Sequence, residues 1–167
     1  MIVLHVFIII TLVICVYFLW VLLHEASHAV LMKIIRPNSK VSIKPYPHKN
    51  ASGSWLWGST EWENLGEPPT KKQISWILFA PRFINIFGII GTGLSAWLLH
   101  GHAAWIICLV LGGSAIDLAV GSIGSSSQSD LIRFSLGFRI SPWVFRSLGW
   151  IVVIGITAIT LLGLLLK

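Results

Sequence analysis

The chain has 167 residues, 55% of them apolar and 11% charged, with a mean hydropathy of +0.83; that is one domain's length with the composition of a membrane protein, not of a water-soluble globule. Its net charge of +6 comes from Lys and Arg flanking apolar segments, not from a basic patch interleaved with aromatics, which argues against nucleic acid as a partner. Cys15 and Cys108 both fall in apolar runs and make neither a disulfide framework nor a metal spacing.

Four segments reach the ~20 residues a bilayer requires, about 2–35, 74–99, 103–120 and 143–166. The expected fold is an all-α integral membrane protein, a single membrane domain over 1–167, with about four transmembrane helices and a short β-hairpin-like loop within 37–73. The first segment lacks a basic leading region, so we read it as a retained span instead of a cleaved signal peptide. It is over-long for a bilayer, and tilting or projection would absorb the excess.

His24-Glu25-Ala26-Ser27-His28 lies in the last third of that first segment. On a helix, positions i and i+4 share a face, so both imidazoles can reach one metal ion. This is the H-E-x-x-H pattern, in which two histidines hold Zn2+ and the glutamate acts as general base. Apart from this motif no charged residue occurs between Met1 and Met32. An ionisable group in hydrocarbon costs at least ~2.5 kcal/mol, which favours function over accident.

In the loop that follows, Val41-Ser42-Ile43-Lys44 and Ser54-Trp55-Leu56-Trp57 alternate as short strands do, around a turn over Asn50 to Gly53. A small hairpin is expected, either as a solvated loop or as a sheet edge that receives an extended peptide. Thr70 and Gln73 form a capping box for the second span. Within that span Pro81 should free a carbonyl, Arg82 is a partner for a buried carboxylate, and Asn85 is a donor either to an oxyanion or to a neighbouring helix.

The third span carries Asp117, the only carboxylate besides Glu25 inside a predicted span. Catalytic zinc takes three protein ligands, and the cost of an unpaired buried Asp makes Asp117 the preferred third one, an ion pair with Arg82 being its structural alternative. Asp130 competes for that role, although the run Ser125-Ser126-Ser127-Gln128-Ser129 before it resembles a solvated loop ending at an N-cap. Gly88 to Gly93, with Gly112 and Gly113, are expected to let helices approach closely. Ser141 and Pro142 suit the N-cap and first position of the last span.

Lys33, Arg36, Lys40, Lys44, Lys49, Lys71 and Lys72 border one loop and Arg133, Arg139 and Arg146 another, while the opposite side carries only Lys167. The positive-inside rule therefore predicts both loops in the cytosol and both termini outside. Trp76 and Trp143 near one face, with Trp97 and Trp105 near the other, fit interfacial belts. At 1.5 Å per helical residue, His28, Arg82 and Asp117 all come within a few turns of the cytosolic end of their spans. His5, His100 and His102 fall toward the outer face and His48 in the loop, and none is assigned a role.

Three landmarks resemble the site-2 protease family of intramembrane zinc metalloproteases, in particular small bacterial zincin membrane peptidases related to it. They are His24-Glu25-Ala26-Ser27-His28, Ala80-Pro81-Arg82-Phe83-Ile84-Asn85 and Gly113-Ser114-Ala115-Ile116-Asp117-Leu118. The resemblance implies a three-helix catalytic core over residues 1 to about 123, with His24, His28 and Asp117 on zinc, Glu25 as base and the final span outside it. It also implies a multi-pass protein of the bacterial inner membrane. The chain departs from better-known members in lacking a proline-rich stretch before the Asp and a glycine directly after it.

The function expected is a zinc-dependent intramembrane endopeptidase that cuts transmembrane segments near the cytosolic face, with Glu25, Arg82 and Asn85 as catalytic residues and the last two steadying an oxyanion. Its partners would be the lipid bilayer and a transmembrane protein or peptide substrate, unwound locally because a continuous helix hides its carbonyls in hydrogen bonds. The alternatives are a non-catalytic metal-binding membrane protein and an inactive protease-like scaffold.

Overall fold

The structure, a computed structural model, describes residues 2–50, 53, 55–63, 67–123 and 130–166. It is mainly helical. Helix α1, Ile2–Ile35, has 34 residues and so runs about 51 Å, well beyond the ~30 Å of a bilayer core. Its first turns stand clear of the rest, with Leu4, Phe7 and Ile9 exposed, and burial begins at Val16 and Trp20.

A β-ribbon follows, made of β1, Lys40–Lys44, β2, His48–Lys49, β3, Trp55–Leu56, and β4, Ser59–Glu63. β1 pairs antiparallel with β4, from Lys40 opposite Glu63 to Lys44 opposite Ser59, and β2 with β3. The expected hairpin thus exists, but Val41 to Lys44 pairs with Ser59–Glu63, and Trp55–Leu56 belongs to a second, inner tier. The outer register sets Val41 opposite Trp62 and Ile43 opposite Thr60 on one face, and Lys44 Nζ meets Glu61 Oε1 at 2.7 Å on the other. The pairing follows that split between apolar and charged faces. At the turn, Gly53 donates to the Asn50 carbonyl and has φ +81°, a left-handed conformation that suits glycine. Ser54 and turn residues 51 and 52 lie outside the described residues, as do Ser125 to Ser129 and Lys167.

Helix α2, Lys71–Leu98, begins with the capping box as expected: the Thr70 hydroxyl accepts from Gln73 N and the Gln73 side chain accepts from Thr70 N. Gly101, at φ +64°, turns the chain from α2 into α3, Gly101–Ile123. The last long helix, α5, Pro142–Leu165, starts on Ser141 and Pro142, without a side-chain cap hydrogen bond. Four helices, α1, α2, α3 and α5, are long and apolar enough to cross a membrane. Trp76, Trp97, Trp105 and Trp143 are exposed on them.

Helix α4, Asp130–Phe138, is a short helix outside the four expected spans, beginning where Asp130 suggests an N-cap. Its buried Leu131, Phe134 and Ser135 recur at helical spacing. Phe134 stacks on Phe79 of α2 at 4.5 Å between centroids and meets Phe145 of α5 edge-on at 5.2 Å. The helix ends in a Schellman arrangement: Ile140 N donates to Ser135 O, Arg139 N to Leu136 O, and Arg139 is left-handed at φ 57°.

Close helix approach is achieved around Trp20. A Cβ at Gly113 would fall 2.1 Å from the Trp20 ring, and one at Gly88 2.6 Å from it, while Trp20 Nε1 donates to the Val110 carbonyl at 2.7 Å. Gly112, expected to serve the same purpose, faces open space.

Candidate metal centre

His24 and His28 project from one face of α1, their ring centroids 5.1 Å apart. His24 Nε2 lies 3.3 Å and His28 Nε2 3.0 Å from the same atom, Asp130 Oδ2. One ligand atom from each of the three residues falls within 4.8 Å of the others. Two atoms bound tetrahedrally to zinc at ~2.0–2.1 Å stand ~3.3 Å apart, so the separations suit one ion.

The other nitrogen of each ring faces an acceptor. His28 Nδ1 is 2.7 Å from the Ile77 carbonyl, and His24 Nδ1 is 3.0 Å from Asp117 Oδ2. A carbonyl only accepts, so His28 carries its proton on Nδ1, and a carboxylate imposes the same tautomer on His24. Both Nε2 lone pairs then confront the Asp130 oxygen. Protonating both rings instead would set two buried cations side by side. A divalent cation among Nε2, Nε2 and Oδ2 removes both conflicts, so these residues fit the group.

The Ile77 carbonyl is available because of Pro81. A helical carbonyl accepts from the N–H four residues on, and proline has none. The orphaned acceptor of α2 thus becomes the partner that orients His28 on α1. The residue is readable in the sequence, since the carbonyl freed by a helical proline is always the one four positions earlier.

Asp117 is engaged from three sides. Besides His24 Nδ1 it accepts from Asn85 Nδ2 at 2.8 Å, and Arg82 Nη1 stands 3.6 Å from Oδ2. Burial cost along the span favours Asp117 over Asp130 as the third ligand, but in the structure Asp117 meets the far nitrogen of His24, while Asp130 sits among the two Nε2 atoms. The reason is that α4 folds back on α2 and delivers a carboxylate to the mouth of the site, which burial cost along a span does not anticipate. Asn85, 2% exposed, gives its amide to Asp117. Arg82, 6% exposed, retains a buried Nη1 without a hydrogen-bond partner. Gly121 of α3 makes room for its guanidinium, since a Cβ there would fall 2.5 Å from Nη2.

Glu25, Arg82 and the three candidate ligands line one cavity of about 860 Å3. Its walls are Val13 and Tyr17 of α1, Leu109 and Ile116 of α3, and Trp57 and Thr60 from the ribbon. The Thr60 hydroxyl lies 2.8 Å from Glu25 Oε2 and 2.8 Å from the Glu25 carbonyl. No sequence pattern marked Thr60, because its contact joins residues far apart in the chain.

Neither curated proteins nor solved structures give a match to the chain. A family profile does, over residues 17–130, under the description "Putative zincin peptidase". The matched stretch opens seven residues before His24, contains Glu25, His28 and Asp117, and closes on Asp130. Two histidines, a glutamate between them and a carboxylate brought in from the far end of the match make the centre that such a description requires, and the chain belongs to that zincin peptidase family.

Proposed function

We propose that the protein is a zinc-dependent intramembrane endopeptidase, functionally akin to site-2 proteases. The observation that carries this reading is the meeting of both Nε2 atoms with Asp130 Oδ2 beside Glu25, each ring fixed through Nδ1 by a separate acceptor. The ligands are His24, His28 and Asp130, and Asp117 acts on His24 as the outer carboxylate of a carboxylate–histidine–metal relay. This replaces the expectation that Asp117 binds the ion itself.

A bound zinc ion supplies Lewis acidity, which acidifies water and polarises a carbonyl oxygen. Glu25 takes the proton from the attacking water on its free carboxylate oxygen and returns it to the leaving amine. Asn85 serves by holding Asp117. Arg82 lines the cavity, and its guanidinium, ion-paired with Asp117 through Nη1 at 3.6 Å, supplies the positive charge that would steady a developing oxyanion.

The helices lie in the bacterial inner membrane, a reading supported by the resemblance to small bacterial membrane peptidases, and the distribution of Lys and Arg supports a cytosolic ribbon and α4. The substrate is a transmembrane segment, locally unwound, that reaches the cavity past the apolar walls of α1 and α3.

Glu25→Gln tests the mechanism. It spares every ligand, so metal content measured on detergent-purified protein should equal that of wild type while cleavage of transmembrane peptides disappears. Undiminished cleavage in that variant would overturn the mechanism. Zinc retained by wild type with no turnover of any peptide would favour the non-catalytic scaffold.

A further inference from the structure

The β-ribbon reaches the catalytic side chain itself, at two points. Thr60 Oγ1 is 2.8 Å from Glu25 Oε2 and 2.8 Å from the Glu25 carbonyl oxygen, so its single proton is shared between a side-chain and a main-chain acceptor of the same residue. Two positions earlier the ribbon backbone closes on the same side chain. A Cβ at Gly58 would fall 3.0 Å from Glu25 Cγ and 2.8 Å from Val21 Cγ1, so glycine is what permits the approach.

A glutamate has three rotatable side-chain bonds, and a general base works only when its oxygen stands within hydrogen-bond reach of the proton it takes. α1 sets the position of the Glu25 Cα but not the direction of the carboxylate. Among the described residues, the hydrogen bonds to the Glu25 side chain come from Thr60 alone. Oε2 is engaged by Thr60, and the Gly58 backbone closes on both Cγ and Oε1, a Cβ there falling 3.0 Å from the one and 3.1 Å from the other. The direction of the carboxylate is thus set by the ribbon, and Oε1, which takes no hydrogen bond among the described residues, is the oxygen available for proton transfer.

We propose that Thr60 is a positioning residue for Glu25, so that the ribbon over the cavity is the element that aims the general base. This inference rests on the proteolytic reading above and adds a working part to it. It also explains why a polar β-branched residue sits on the ribbon face that elsewhere carries Val41, Ile43 and Trp62.

The test compares Thr60→Val, which keeps shape and removes the donor, with Thr60→Ser, which keeps the donor. In the full-length protein, Thr60→Val should lower kcat on a fluorogenic transmembrane peptide about 10- to 100-fold with little change in KM and in zinc content. Thr60→Ser should restore most of the rate. Equal rates for Thr60→Val and wild type, or equal losses in both variants, would overturn the proposal.

A second readout needs no turnover. Amide exchange in residues 40–49 and 55–63 should quicken in Glu25→Ala, and Glu25→Ala should add nothing to Thr60→Val, because the shared bond is already gone. Additive effects, or a ribbon indifferent to Glu25→Ala, would sink the link between the two residues. Should wild type cleave no peptide, the proteolytic reading fails, and the exchange cycle decides the Thr60 contact by itself.

Discussion

Two carboxylates compete for the third ligand position, and their surroundings separate them. Asp130 offers one oxygen to both Nε2 atoms, whereas Asp117 is committed to His24 Nδ1, Asn85 and Arg82. Asp130→Ala should therefore abolish stoichiometric zinc, while Asp117→Ala should leave a site weakened about 10- to 100-fold, as removal of an orienting partner does. Competition with a chromogenic chelator measures both, and the opposite ranking would return Asp117 to the ligand position. Pro81 provides a sharper check. Pro81→Ala supplies the missing N–H, draws the Ile77 carbonyl back into the helix and deprives His28 of its acceptor. Zinc affinity should fall about 10-fold although a helix breaker has been replaced by the best helix former. Unaltered affinity would mean that His28 is oriented by other means.

At the level of elements, α4 shows how packing places chemistry. It is 9 residues long, too short to be stable alone in water, and it is pinned through Phe134, which contacts Phe79, Phe138 and Phe145. Phe134→Ala should cost about 3–5 kcal/mol and loosen the helix that carries Asp130. The signature would be a lower unfolding midpoint in detergent together with weaker zinc binding. A loss of stability with unchanged zinc affinity would show that Asp130 is held independently of the aromatic cluster. The ribbon has a comparable lesson. Alternation identified its strands, but the partner of β1 is decided by which face meets α1, a relation between segments.

For the molecule as a whole, the centre ties the C-terminal part of α1 to the start of α4, elements separated by about a hundred residues. A metal bound there stabilises only the folded state. With free zinc at 100 times its dissociation constant the gain is about 2.7 kcal/mol. Removal by a chelator should lower the thermal midpoint, abolish cleavage and leave the helix content of the long spans unchanged, and added zinc should reverse each effect. A midpoint indifferent to zinc would argue that α4 docks through its aromatic residues alone. α5 lies beyond the matched family stretch, yet Phe145 supports Phe134, so it acts on the centre through packing.

The amino-acid sequence by itself determined what depends on neighbours along the chain. Apolar runs of spanning length, the i, i+4 histidines with their intervening glutamate, the Thr70–Gln73 capping box and the proline that frees a carbonyl are all local relations, and the structure carries them at nearly the expected positions. Burial cost also singled out Asp117, Arg82 and Asn85 as polar groups that must find partners. Only the tertiary structure decided who those partners are. Asp130 rather than Asp117 faces the paired Nε2 atoms because an amphipathic turn of helix finds an aromatic surface on α2 and α5. His28 meets the Ile77 carbonyl, and Thr60 meets Glu25, because separate elements happen to converge within hydrogen-bond distance. Hydrogen bonds and metal coordination act over about 3 Å, and contacts that short are set by the packing of helices against one another, which no local pattern specifies.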